Sequence, residues 1–150
     1  MFRCPPFLTR LMDHRALSTP AQLRLGPEDK EAYAFANELR ALTLEGRLAA
    51  VWTHPANELA GMVRKAANGK VVVPPQIAVA RALGLITGTS DFLFMWHDGA
   101  CAIEFKSKTG TMTSGQRDFR DWCAMARVPF HLVRSVEAGL SVLRHAGVLL

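Results

Sequence analysis

The sequence is poor in cysteine and has no long apolar run. Its three cysteines are odd in number and form no Cys-x-x-Cys pair, so we expect reduced thiols inside a cell and neither a disulfide framework nor a zinc knuckle. The chain lacks the stretch of about 18 apolar residues that a membrane span requires, so no membrane partner is expected. It contains no glycine-rich loop of Walker or Rossmann type, and His54 has no second histidine or cysteine at zinc-ligand spacing. These absences argue against secreted disulfide-rich, membrane-spanning, zinc-binding and P-loop proteins.

The composition that remains is that of one basic globular domain. A chain of 150 residues with 49% hydrophobic content is long enough for a single core. The net charge is +5 and the pI is about 9.6, which favours a polyanionic partner. Residues 1–26 hold four arginines against one aspartate and are predicted to be a basic arm that is loosely ordered or contacts DNA. Residues 27–150 form the predicted folded domain.

The order of predicted elements is helix, strand, helix, strand hairpin, helix, strand, helix, which indicates an α/β fold with a mixed sheet flanked by helices. The first helix begins at Pro27 and ends at Gly46, with an apolar stripe that includes Phe35 and Leu39. The remaining predictions are a strand at Leu48–Thr53, a turn at Asn68-Gly69, a helix at Ile77–Leu83, a helix capped by Thr113 that packs Phe119, Trp122, Cys123 and Ala126, a strand at Val128–Val133, and a last helix capped by Ser135.

The most informative segment is a predicted antiparallel hairpin with charges on apolar strands. Asp91 to Trp96 and Ala100 to Lys106 flank the turn residues His97-Asp98-Gly99. Pairing of these strands would bring Asp91 close to Glu104. Because side chains two apart share a strand face, Glu104 and Lys106 should point the same way.

Two carboxylates held this close repel each other unless a cation lies between them. All-oxygen ligands favour a hard ion, so Mg²⁺ or Mn²⁺ is the expected cofactor. Lys106 could orient the attacking water and balance charge that builds on a phosphoryl group, while the metal lowers the pKa of that water. The alternative is a surface hairpin in which Glu104 and Lys106 form a weak ion pair, worth at most about 1 kcal/mol.

Four segments in the last half of the chain together resemble the VRR-NUC family of the PD-(D/E)XK nuclease superfamily. They are Gly84 to Leu93, Ile103 to Lys106, Gly110 to Gln116 with Phe119 and Trp122, and Val128 to Ser135. Upstream, His54-Pro55-Ala56-Asn57 is similar to a His-x-Pro-Asn stretch of phage and bacterial members, with an alanine interposed. Ser90 stands where the family usually has proline before the aspartate. This difference weakens the prediction of a turn before Asp91 but removes no metal ligand.

The resemblance implies a restriction-endonuclease-like core and a set of metal ligands. It implies that Asp91 and Glu104 bind the metal with help from the Phe105 carbonyl, and that Lys106 assists the water. It also implies a third acid on the first helix, for which Glu28 and Glu31 are rivals. Glu28 lies four residues before Ala32 on the apolar stripe, which favours it, whereas the spacing from Glu31 to Gly46 fits shorter family members.

Gln116 has two interpretations: it caps its helix with Thr113, or it holds substrate phosphate or water near the catalytic strand, as the resemblance implies. Predicted DNA contacts are Lys108, which should share the face of Lys106, together with Arg117, Arg120, His54 and Asn57. Lys65, Lys70 and Arg134 could also flank the groove.

The predicted function is therefore hydrolysis of DNA by a metal-dependent nuclease, selective for junctions, flaps or ends, in a phage, bacterial or cytoplasmic setting. One such domain offers little surface with which to grip two strands, so a homodimer is expected. The alternative from another class is a non-catalytic DNA-binding module with the same fold. A small-molecule-binding α/β protein would not explain charges on a buried hairpin.

Overall fold

The computed structural model describes residues 3–13, 25–55 and 64–150. In chain order, the elements in these ranges are α1 (Pro6–Met12), α2 (Pro27–Leu44), β1 (Val51–Thr53), β2 (Arg64–Lys65), β3 (Val71–Val72), α3 (Pro75–Ala82), β4 (Phe92–Trp96), β5 (Gly99–Phe105), α4 (Ser114–Met125), β6 (Phe130–Val133) and α5 (Val136–His145). None of the helices in these ranges combines the length and the apolar character that a transmembrane span would need.

The main sheet has four strands in the order β1-β4-β5-β6. β4 pairs antiparallel with both β1 and β5, whereas β5 and β6 run parallel, so the predicted mixed-sheet α/β class is confirmed. Phe92 lies opposite Ile103 in the β4–β5 register. The position before β4 and the position after Ile103 are therefore also neighbours, which brings Asp91 beside Glu104 as the hairpin predicts. A separate two-stranded ribbon joins β2 and β3 around the predicted turn at Asn68-Gly69.

Helix α2 begins with proline at its first position and with Glu28 and Asp29 in its first turn, where acidic side chains favour the positive end of the helix dipole. It ends before Gly46, whose φ of 72° is a conformation that glycine adopts without strain. Phe35 is fully buried, and its ring centroid lies 5.1 Å from those of both Phe92 and Phe105. This aromatic contact fixes α2 on the hairpin and so fixes where its first turn lies.

Helix α5 completes the same face of the sheet. The Ser135 hydroxyl accepts a hydrogen bond from the Ala138 amide, which caps the helix as predicted. Leu140 and Leu143 are buried in the core. A Cβ at Gly139 would lie 2.8 Å from the Phe35 ring, so glycine allows α5 to approach α2 closely.

The structure corrects several predicted boundaries. Regular pairing in the first strand covers only Val51–Thr53, because Leu48 forms an isolated bridge with Leu149. β6 begins at Phe130, two residues later than predicted. α3 begins at Pro75 instead of Ile77, because proline is well suited to the first turn of a helix. α1 was not predicted; it begins with Pro6 at its first position and lies against α2.

The predicted packing of α4 is only partly correct. Cys123 is buried and Phe119 is half-buried, but Trp122 is 55% exposed and Ala126 is exposed. α4 contacts the sheet at its edge strand β6, so only one narrow stripe of the helix is covered.

Candidate metal centre

The paired ends of β4 and β5 hold two carboxylates in place. Asp91 immediately precedes β4, and its Oδ2 accepts a hydrogen bond from the Phe105 amide at 2.7 Å. This bond fixes the Asp91 side chain against β5. Glu104 lies within β5 and is fully buried.

A third carboxylate and a lysine join this pair. The Lys106 Nζ lies 2.7 Å from Glu28 Oε1 and 2.8 Å from Glu104 Oε1. One carboxylate oxygen each of Glu28, Asp91 and Glu104 falls within 4.8 Å of the other two. These three residues are called the acidic triad below. Helix α2 supplies one member and the hairpin supplies two, so the triad depends on the packing of Phe35 about two helical turns further along.

Burial changes the protonation of the triad. The pKa of Glu104 is raised from 4.5 to about 7, chiefly by removal from water and secondly by the nearby Asp91 charge, while Lys106 opposes both effects. Burial also raises the pKa of Asp91, although the hydrogen bond from Phe105 counteracts it. For Lys106, burial lowers the pKa, but its hydrogen bonds to Glu104 and Glu28 outweigh this and the net shift is upward.

The ligand atoms of the triad suit a hard divalent cation. All three offer carboxylate oxygens, which Mg²⁺ and Mn²⁺ prefer. Glu104 Oε2 is buried and has no hydrogen-bond partner among the described residues, and a buried acceptor without a partner is costly. The Glu28 side chain is 37% exposed, so the triad opens to solvent on that side. The residues present therefore fit a divalent metal.

Gln116 caps its helix, which is one of its two predicted roles, and it also contacts the acidic triad. Its side-chain Oε1 accepts a hydrogen bond from the Thr113 backbone amide, and its backbone amide donates to the Thr113 hydroxyl. This is the predicted capping box. Its Nε2 donates to Glu104 Oε1. The same side chain thus links the start of α4 to the acidic triad, and a role toward substrate stays a prediction.

The start of α4 is held by a close backbone contact. A Cβ at Gly88 would lie 2.3 Å from the Gly115 carbonyl carbon and 2.7 Å from the Gln116 nitrogen. The φ of Gly88 is 89°, which side chains rarely adopt. Glycine at this position therefore lets the chain before β4 support Gln116.

A short loop after β5 lies beside Glu28 and is braced by an arginine. The Arg134 guanidinium donates to the Ser107 carbonyl and, at 3.1 Å, to the Gly110 carbonyl. A Cβ at Gly110 would be 3.6 Å from Glu28 Oε2. Arg134, which the sequence analysis assigns to the DNA groove, therefore uses its donors to hold this loop.

The two rivals on the first helix are separated clearly in space. Glu28 joins the acidic triad, whereas the Glu31 Oε2 accepts the Val136 amide at 3.0 Å and so caps α5. Both residues are candidates from the sequence alone, and the geometry favours Glu28. For Phe105 the structure shows its amide bonded to Asp91; a role for its carbonyl toward a metal stays a prediction.

Lys108 and Arg117, two of the residues predicted to contact DNA, lie on exposed surface. Lys108 is exposed, and because β5 ends at Phe105 the strand alternation that predicts a shared face with Lys106 does not extend to it. Arg117 is exposed and donates to the Met112 carbonyl at 2.6 Å.

The other three residues predicted to contact DNA are Arg120, His54 and Asn57, and their surroundings differ. Arg120 forms an exposed ion pair with Asp121 at 2.7 Å. Burial raises the pKa of Asp91, and the neighbouring His54 opposes that rise, so His54 lies near the triad. Asn57 falls outside the described residues.

A cavity of about 280 Å³ adjoins the acidic triad, because two triad members, Glu28 and Asp91, also line the cavity. Tyr33 and Arg40 from α2 and Trp52 from β1 line its walls. These three residues were not predicted from the sequence, although the seven-residue spacing of Tyr33 and Arg40 on one helix could have placed them on a common face. A larger cavity of about 820 Å³ lies between β6 and α5, and the described residues that line it include none of the three carboxylates.

No protein-family model, curated protein or solved structure matches the chain.

Proposed function

We propose that the protein is a divalent-metal-dependent nuclease that hydrolyses DNA phosphodiester bonds on a restriction-endonuclease-like core. The acidic triad with Lys106 is the observation that carries this proposal. Fold alone would not carry it, because one α/β architecture serves many functions. The motif resemblance to VRR-NUC nucleases adds weight, since it names Asp91, Glu104 and Lys106 independently of the structure.

The triad supports a metal centre because its geometry is costly without one. Glu104 is fully buried, and its Oε2 has no hydrogen-bond partner among the described residues. Burial of a carboxylate without full pairing is unfavourable, and proteins retain such groups chiefly at functional sites. Glu28, Asp91 and Glu104 would hold the ion. A bound divalent ion would supply Lewis-acid stabilisation of charge on the phosphate and a lowered pKa for water.

The chain's own groups would position the substrate and the water. The Lys106 ammonium lies 2.8 Å from Glu104 and is nearly buried, so it is held at the triad and can donate a hydrogen bond to a phosphate oxygen or to the attacking water. Gln116 Nε2 donates to Glu104 Oε1, the same oxygen that Lys106 contacts, and so helps to hold this carboxylate in place. The net charge of +5 favours approach of a polyanion, and the exposed Lys108 and Arg117 could contact its phosphates.

One observation favours the second candidate, a non-catalytic DNA-binding module. Lys106 already places a positive charge between Glu28 and Glu104 at hydrogen-bond distance, so part of the triad's charge is neutralised without a metal. In that case the triad would be a structural ion-pair network. Metal binding and cleavage distinguish the two candidates.

The test uses labelled blunt duplexes, overhangs, flaps and four-way junctions, each incubated with and without Mn²⁺. We expect Mn²⁺-dependent cleavage that Asp91→Asn and Glu104→Gln reduce at least about a hundredfold, the usual effect of removing one preorganised charged group. Glu137→Gln, an exposed carboxylate paired with Arg144 on α5, is the matched control and should cut normally. Sedimentation of the protein with and without DNA would test the proposed homodimer.

A thermal melt adds a readout that does not depend on cleavage. Mn²⁺ should raise the melting temperature of the wild type and not that of Asp91→Asn, because a ligand stabilises only the folded state that binds it. Cleavage of DNA by the Glu104→Gln variant at the wild-type rate would contradict the nuclease proposal. DNA binding with neither stabilisation by Mn²⁺ nor cleavage would favour the non-catalytic module.

A further inference from the structure

We propose that the cavity beside the acidic triad binds one unpaired nucleobase of the strand whose phosphate lies at the metal centre. This inference rests on the proposed nuclease function and names its substrate class. The substrate would be DNA with an unpaired nucleotide next to the bond that is cut, and fully paired duplex would bind less well.

The position of the cavity is the first argument. Glu28 and Asp91 belong both to its lining and to the acidic triad, so the two spaces are continuous. A base in the cavity would belong to a nucleotide at or next to the phosphate at the triad. The volume of about 280 Å³ lies just below the usual range of small-molecule sites, which suits a ligand of one or two rings.

The wall formed by α2 is the second argument. Asp29, Tyr33, Ala36 and Arg40 follow one another at spacings of four, three and four residues, so they share one helix face. All four line the cavity. The methyl side chain of Ala36 lies between two long side chains on this face and leaves room for a flat group.

Strand β1 supplies a fixed aromatic surface to the cavity. Trp52 donates from its indole Nε1 to the Thr43 hydroxyl at 3.1 Å, which fixes the orientation of its ring. The Arg40 guanidinium lies over that ring, 5.9 Å from its centroid. Aromatic rings and guanidinium planes are the surfaces on which proteins stack the bases of single strands, and such stacking tolerates any base.

Charge favours a base over a phosphate in this space. Glu28, Asp29 and Asp91 contribute three carboxylates to the lining, against the positive or titratable groups of Arg40 and His54. A phosphate in the cavity would be repelled by these carboxylates, whereas at the triad Lys106 and a bound divalent ion would offset the negative charge. Amino groups on the edges of adenine, cytosine and guanine can instead donate hydrogen bonds to carboxylate oxygens. The phosphate therefore belongs at the triad and the neutral ring belongs in the cavity.

The test places 2-aminopurine at the single unpaired nucleotide of a short duplex with a one-nucleotide overhang. The protein is titrated with Ca²⁺ in place of Mn²⁺, so that a hard ion can occupy the triad while cleavage is suppressed, and 2-aminopurine fluorescence is followed together with anisotropy of a distant label. The same duplex without the overhang is the reference DNA. Arg40→Lys is the central variant, because lysine keeps the positive charge but lacks the planar guanidinium group on which a base could stack. Arg144→Lys on the exposed side of α5 is its matched control.

We expect the wild type to quench 2-aminopurine and to bind overhang DNA more tightly than blunt DNA. Arg40→Lys should weaken binding to overhang DNA about tenfold, within the range seen for loss of one stacking partner, and should leave blunt-duplex affinity unchanged. Tyr33→Ala should act in the same direction, with a thermal melt to verify folding. Arg144→Lys should behave as the wild type.

Absence of quenching, or wild-type binding by Arg40→Lys, would overturn the base site. An equal loss on both DNAs would assign Arg40 to phosphate contact and would also overturn it. Cleavage of overhang DNA in Mn²⁺ is measured in parallel. Cleavage without quenching would retain the nuclease and reject the cavity, whereas quenching without cleavage would reject the nuclease and retain the cavity.

Discussion

Replacement of Glu104 by glutamine should stabilise the metal-free protein at pH 8 and have little effect at pH 5. Glu104 is fully buried, and its pKa is raised from 4.5 to about 7, chiefly by loss of hydration. An acid whose pKa is raised on folding keeps its proton in the folded state after the unfolded chain has lost it. Stability therefore falls as the pH rises from about 4.5 to about 7, and the loss is complete above that window.

The magnitude follows from the two pKa values. A difference between 4.5 and about 7 corresponds to about 3 kcal/mol of lost stability at pH 8, as an order of magnitude. Glutamine resembles the protonated acid in shape and does not titrate, so it should recover about 2 kcal/mol of this at pH 8. For a chain of this length, that corresponds to a rise of about 4–8 °C in melting temperature.

The assay is urea and thermal unfolding in EDTA at pH 5 and pH 8, with Glu38→Gln as the control at an exposed position on α2. Glu104→Gln should be more stable than the wild type at pH 8 and close to it at pH 5. Glu38→Gln should show no comparable pH-dependent difference. If Glu104→Gln is destabilised by the same amount at both pH values, Glu104 carries no unfavourable buried charge and the reasoning is refuted.

Two further pairs of substitutions test how the triad is assembled. In urea unfolding, Gly88→Ala should lower the free energy of unfolding by more than Gly84→Ala does. Both glycines have positive φ, but only at Gly88 would a Cβ clash with backbone, at 2.3 Å. Equal losses of stability would show that the contact with α4 is unimportant. Glu28→Gln should abolish the stabilisation by Mn²⁺. Glu31→Gln should still be stabilised by Mn²⁺ but should be less stable than the wild type without metal, because the Glu31 carboxylate caps α5. The opposite result would assign the third ligand to Glu31.

Local sequence patterns were sufficient where one chemical preference determined the outcome. The hairpin register followed from its turn residues and apolar strands, so the contact between Asp91 and Glu104 was predictable. The capping box at Thr113 and the helix that begins at Pro27 were predictable for the same reason. Each depends on residues that are close in the sequence.

Long-range packing was less accessible. The choice between Glu28 and Glu31 depends on how α2 lies on the sheet, which the Phe35 contacts determine. The role of Arg134 depends on where the loop after β5 folds back, and local charge could not show that. The exposure of Trp122 depends on α4 meeting the sheet only at its edge.

The cavity also depends on distant elements. Its walls come from α2 and β1, which contribute Tyr33, Arg40 and Trp52. Sequence order gives the face of each element but not the gap between them. The aromatic surface beside the triad was therefore visible only once the two elements were placed together.

Calorimetric titration with Mn²⁺ tests the central claim, that the acidic triad is a cation site, most directly. The wild type should bind one ion, and Asp91→Asn should lose this binding. Because Glu104 must release its proton, affinity should fall about tenfold for each pH unit below about 7, with close to one proton released per ion at pH 6. Binding of Mn²⁺ with equal affinity to wild type and Asp91→Asn, or no binding to either, would contradict the account.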